Sequence, residues 1–183
     1  MAEVEITSRR GATSRTFALD DGTRRIEIGG GVANHLKNGV WVPTDTTWQD
    51  LLAEYSTGEH PWTVSLNKSN WSITVSDGTD TVTLDPVNTR VPQVSASGNT
   101  VTFEGLWRGV TAYCVLTPEH FLIEFTRTAT NYTDPSIRVT GDATPMLDAH
   151  YETETGNVTV PATLSSGVVT YDLSAVPIGA VVR

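Results

Sequence analysis

The chain has 183 residues, 18% of them charged and 38% hydrophobic, with a formal net charge of −9. Such a length supports one β core or two small ones and is too short for a multidomain enzyme. The negative charge repels phosphate and argues against nucleic-acid binding; the single cysteine excludes an internal disulfide and thiolate zinc sites; no stretch approaches the roughly 20 apolar residues of a membrane helix.

Thr and Val dominate the sequence, and β-branched side chains sit better on a pleated surface than in a helix. The 15 glycines and 9 prolines separate the Thr/Val runs. Residues 1–13 read as an extended arm. Arg9, Arg10, Arg15, Arg24 and Arg25 place five of the twelve basic side chains in the first 25 residues, and blocks of like charge are often interaction tails. Arg9, Arg10 and Arg15 are therefore expected to bind a partner, with the arm lying on an acidic neighbour. Residues 14–183 are expected to form a single antiparallel β-sandwich domain, its one seam near residues 85–94.

The first predicted hairpin runs from Thr16 to Ile28 around Asp21-Gly22. A second surrounds Asn38-Gly39, leading into Val40-Trp41-Val42-Pro43. Asp-Gly or Asn-Gly between alternating runs is the strongest short-range hairpin signal in a sequence. The Gly29–Gly31 run breaks the strand between them. Residues 48–55 form the one segment with helical character, with Thr46 or Thr47 as cap and Gly58 as stop; an irregular strand is the alternative. Strands follow at Trp71–Val75 and Thr81–Leu84 around Asp77-Gly78, and at Thr100–Phe103 after Gly98-Asn99. Val110–Leu116 and Phe121–Phe125, joined through Thr117-Pro118-Glu119-His120, are the best candidates for the core. In the second of these, Phe121, Ile123 and Phe125 share one face and Leu122 and Glu124 the other. Later strands are expected at Ile137–Thr140, Val158–Val160, Val168–Leu173 and Ala180–Val182, the last leaving the C-terminus inside a sheet or at its edge. Short strands at this spacing indicate an all-β sandwich or barrel.

The search for chemistry finds little. The triple glycine is followed neither by a helix nor by Lys-Ser/Thr, so it does not form a phosphate loop. No nucleophile elbow occurs, and the four histidines are scattered. Asp148, His150, Glu152 and Glu154 alternate and would project from one face of a strand, either as hard ligands for a divalent cation or as an outward polar face beside a turn. The polar face is the simpler reading. Cys114 reads as a small buried hydrophobe. No cofactor and no enzymatic activity are expected. Of the five tryptophans, most are expected in the core, with Trp62 and Trp107 (beside Arg108) as the surface pair available to a partner or a sugar.

The hairpins carry a resemblance. Residues 17–28, Asn34-His35 and Asn38–Asp45, followed by Val101–Tyr113 and Phe121–Phe125, resemble a module of phage virion structural proteins and of the N-terminal parts of large bacterial surface proteins. The likeness spans about the first 130 residues. Leu36, Thr111 and Leu122 depart from its pattern. The resemblance implies a sandwich used in adhesion or assembly and transfers no active site. The resulting expectation is a capsid decoration protein, or else a small tail component, bound to the major capsid protein or another virion protein. Homo-oligomers, with a trimer the expected form, follow from that role. Its place would be the virion, assembled in the host cytoplasm, since no apolar run of signal-peptide length begins the chain. A carbohydrate- or receptor-binding module using Trp62 and Trp107 is the alternative, and a hydrolase built on residues 148–154 the third reading.

Overall fold

A computed structural model describes residues 3–28, 33–118, 120–141 and 149–183. The fold is all-β, with antiparallel sheets packed on one another as a sandwich. In chain order, β1 (Glu3–Glu5), β2 (Ser14–Leu19) and β3 (Arg24–Ile28) make a three-stranded sheet, and β4 (Asn34–Lys37) and β5 (Val40–Pro43) a hairpin. A meander follows through β6 (Trp48–Asp50), β7 (Glu54–Thr57), β8 (Thr63–Asn67), β9 (Ile73–Ser76) and β10 (Thr81–Val87). The second meander is β11 (Gln93–Ser97), β12 (Thr100–Trp107), β13 (Val110–Leu116) and β14 (Phe121–Arg127). The remaining strands are β15 (Ser136–Gly141), β16 (His150–Thr153), β17 (Gly156–Thr159), β18 (Ala162–Ser165), β19 (Val168–Tyr171) and β20 (Val181–Val182).

The two large sheets have the orders β18-β19-β15-β10-β9-β8-β7-β6 and β11-β12-β13-β14-β20-β16-β17. The chain therefore completes most of one sheet, crosses at residues 88–92, builds most of the other, and then adds strands to both. The stretch expected to be a seam is this crossing. Its first part, Asp85 to Val87, belongs to β10 and pairs with β15.

Alternation dictates the core. Along β13, Val110, Ala112, Cys114 and Leu116 point inward and are buried. Beside them lie Phe121, Ile123 and Phe125 of β14, in the predicted phase. Val64 and Leu66 of β8, Ile73 of β9 and Ile137 of β15 face them from the other sheet. Aromatic rings cross the interface: Phe125 meets Tyr171 with centroids 5.5 Å apart, and Trp48 meets Phe121 at 6.4 Å. The Asn38-Gly39 hairpin forms as expected, with both residues at positive φ (50° and 79°), the requirement of a tight turn matched to strand twist. The C-terminal strand β20 lies inside its sheet, between β14 and β16.

Two expectations meet a correction. Of the two readings of residues 48–55 the helical one fails and the strand one holds: β6 and β7 are joined by a turn closed by the Leu51 N–H on the Glu54 carbonyl at 2.9 Å. The Trp48 indole donates to the Asn99 carbonyl at 3.1 Å, fixing this edge to the β11–β12 turn of the other sheet. The N-terminal arm is extended over Glu3–Glu5, where it pairs with β2, and then folds into a 3-10 turn at Thr7–Arg9. Trp107 is a core residue, 1% exposed. The pairing of β12 with β13 slips between Glu104 and Trp107, and Gly105 there has φ +78°. This bulge turns consecutive Leu106 and Trp107 both inward.

Candidate functional site

The three-stranded sheet has two chemically distinct faces. The register of β1, β2 and β3 puts Glu3, Glu5, Phe17, Arg25 and Glu27 on one side. Here Arg25 binds Glu3 at 2.6 Å and also Glu27, and its guanidinium lies 4.5 Å above the Phe17 ring. Both hydrogen bonds push the Arg25 pKa up. Arg10 binds Glu5 at 2.7 Å, which lowers the Glu5 pKa, and donates to the Trp41 carbonyl at 3.1 Å. The polar side is thus internally neutralised and linked to the β4–β5 hairpin. That hairpin is linked in turn to the sandwich, where Glu59 accepts from Lys37 at 2.9 Å and stands 3.2 Å from the His35 ring nitrogen. The Lys37 contact leads in holding the Glu59 carboxyl below its ordinary range.

The other side carries Val4, Ala18, Ile26, Ile28 and Arg24, with Ser14 and Thr16 between them. Thr16 is covered, its hydroxyl 3.5 Å from the Arg9 carbonyl, but Val4 is 67%, Ile26 60% and Ile28 78% exposed. Along β3 the apolar residues are the exposed ones and Arg25 and Glu27 the half-buried ones. This reverses the usual amphipathic order of a surface strand, and several large apolar side chains sharing one open face mark an interaction surface.

A second feature is an open hollow of about 400 Å³ lined by Trp62, Val75, Val82, His120 and Phe121. Trp62 packs edge-on against His60, centroids 4.4 Å apart, and the His60 Nε2–H donates to the Thr117 carbonyl at 3.0 Å. Burial leads in pushing the His60 pKa down. The Trp62 indole nitrogen is shielded from solvent and has no hydrogen-bond partner, so the hollow meets a ligand with ring carbons and not with that donor.

The residues expected to bind a partner do not converge. Arg9 is exposed at the end of its 3-10 turn. Arg10 is engaged within the chain by Glu5 and Trp41, and the Arg15 Nε is buried with no hydrogen-bond partner. Arg108 is exposed in the β12–β13 turn, its nearest side-chain partner being Asn131 at 3.4 Å. Trp62 adjoins the turn after β13 and Arg108 the turn before it, so a seven-residue strand of roughly 23 Å separates them. Trp107 is buried, so it supplies no exposed platform. Asp148 and the triple glycine lie outside the described residues. Of the other members of that acidic set, Glu154 falls in a turn and Glu152 pairs with Arg183 at 3.0 Å. Among the described residues no group of three or more His, Cys, Asp or Glu is placed to hold a metal ion. No described helix is long and apolar enough to cross a membrane.

Sequence reasoning missed Val4, Ile26 and Ile28. The alternation in Arg24-Arg25-Ile26-Glu27-Ile28 does reveal that the isoleucines share a face. Compared with known proteins, the chain matches no family model, no curated protein and no solved structure.

Proposed function

We propose that this chain is a non-catalytic structural protein of a phage virion, most simply a decoration protein on the outside of the head, which works with part of its surface covered by other protein. The observation that carries this reading is the outward apolar face of the N-terminal sheet, Val4, Ile26 and Ile28, set above a face where Arg25 is paired with Glu3 and Glu27. A sandwich supplies a rigid body, and open sheet edges such as β11 supply unpaired backbone groups for strand addition to a capsid protein. The resemblance of its hairpins to virion modules gives the assembly its setting.

The test is to fractionate phage particles on a density gradient and probe for the chain. It should band with the particles, and Ile28→Lys should shift it toward the top while the circular dichroism of the isolated chain is unchanged. A wild-type chain found only among free proteins overturns the virion reading. Point variants are preferable to removing residues 1–13, because that deletion also removes β1 and the Arg10 bond to Trp41.

A second reading rests on the Trp62–Phe121 hollow, whose aromatic walls and open mouth suit a sugar ring. Retention on immobilised polysaccharide, lost in Trp62→Ala, would favour it. No retention by the wild-type chain would remove it.

A further inference from the structure

We infer that the apolar face of the N-terminal sheet is covered by the β6–β7 hairpin tip of a second copy of this chain. The inference rests on the reading that this face works covered, and it names the occupant. Five arginines balance five acidic residues through Ile28, so the whole net charge of −9 lies in the remainder of the chain. On or beside the apolar face, Arg24 and Arg9 make no ion pair with any described residue, whereas Arg10 and Arg25 are paired. A suitable partner offers exposed apolar side chains flanked by carboxylates.

One such place lies at a hairpin tip of the same chain. At the turn between β6 and β7 the sequence is Asp50-Leu51-Leu52-Ala53-Glu54, with Leu52 100% and Leu51 45% exposed. Asp50 binds Lys68, leaving Glu54 as the uncompensated carboxylate. Of the other exposed apolar residues of the body, Val91 follows Arg90, which would oppose Arg24, and Leu36 and Val40 adjoin Lys37. The hairpin tip therefore matches the N-terminal face in both apolar character and charge. The contact joins two different patches, so it is heterologous: repeated, it closes a ring or runs on as a filament.

The experiment measures molar mass by sedimentation for the full-length wild type, Ile26→Lys, Leu52→Lys and an equimolar mixture of the two variants. Both substitutions are at exposed positions, and a thermal melt confirms that each variant is folded. The wild type should self-associate, and each variant alone should weaken association by about tenfold or more. The mixture should regain dimer, because the intact face of Leu52→Lys accepts the intact tip of Ile26→Lys. A monomeric wild type, an unaffected Leu52→Lys, or a mixture no larger than its components overturns the inference. If the wild type is monomeric yet bands with virions, the assembly reading stands and only the occupant is wrong. If it self-associates through these patches but never bands with virions, the interface stands and the virion reading falls.

Discussion

The Trp107 indole donates a hydrogen bond of 2.8 Å to the carbonyl of Val87, tying the last residue of β12 to the last residue of β10 in the opposite sheet. Its ring also packs edge-on against Phe125 at 5.8 Å. The bond closes the crossing between the two meanders, where the chain leaves one sheet for the other.

Replacing Trp107 therefore removes packing and leaves a carbonyl without its donor. Trp107→Phe should cost about 1–3 kcal/mol, and Trp107→Ala about 3–5 kcal/mol. Urea unfolding followed by far-UV circular dichroism measures both. An exposed, platform-forming tryptophan would show neither loss, so the pair of values also checks the core assignment.

How much of this was legible beforehand follows from where local and tertiary forces agree. The Asn38-Gly39 turn was legible because only such residues accept two successive positive φ values cheaply. The inward faces of β13 and β14 were legible because each alternates without interruption. Trp107 was misplaced because the bulge at Gly105 breaks the period of two, and a single glycine does not announce which way its neighbours turn. Residues 48–55 looked helical because Leu, Ala and Glu favour that state. The bond from the Trp48 indole to Asn99, 51 residues away, overrides a preference of that size. For the candidate site, alternation shows which residues share a face but not which face is covered. That depends on the ion pairs of Arg25 with Glu3, 22 residues away, and of Arg10 with Glu5.

The last strand separates packing from charge. Val182 is fully buried, opposite Phe125 and Tyr151 in register. Next to it, Arg183 binds Glu124 at 2.8 Å and Glu152 at 3.0 Å on the half-exposed outer face. Val182→Ala should destabilise by about 1–3 kcal/mol, through lost burial and an incompletely collapsed cavity. Arg183→Ala should cost under about 1 kcal/mol, and less in high salt, because solvent screens the pair. Denaturant midpoints at two ionic strengths compare the two; an Arg183 loss exceeding the Val182 loss would reverse the assignment.

Cys114 lies within the sandwich, where burial pushes its thiol up to about 12. The thiolate is the reactive form, so labelling by a maleimide at pH 7 should be negligible in the folded chain and rapid in urea. The labelling rate should follow the equilibrium for global opening, and a stabilising solute should slow it in proportion. Rapid labelling of the folded chain would place the thiol outside the core.

His60 gives the stability of this fold a pH dependence with a defined sign. Desolvation is the larger influence on its pKa and lowers it, against the smaller opposing effect of the Thr117 carbonyl. The folded chain therefore binds a proton less readily than the unfolded one, whose histidine titrates near about 6.5. Below that value the unfolded state takes up more protons, so stability falls as pH drops through it, by no more than about 1.4 kcal/mol per pH unit for one proton. The decline levels off once pH is below the folded pKa. Above the unfolded value His60 contributes no further slope. The carboxylates held low by their hydrogen bonds, Glu5, Asp21, Glu59, Asp77 and Asp172, also lose stability toward acid, but in the lower window below their ordinary values of 4.5 and 3.8. Urea titrations at pH 5, 6, 7 and 8 of the wild type and His60→Gln isolate the effect. The difference between the two should shrink or change sign at pH 5 relative to pH 8, because the glutamine has no proton to take up. A difference independent of pH would show that His60 binds its proton equally well folded and unfolded, so that packing beside Trp62 does not depress its pKa.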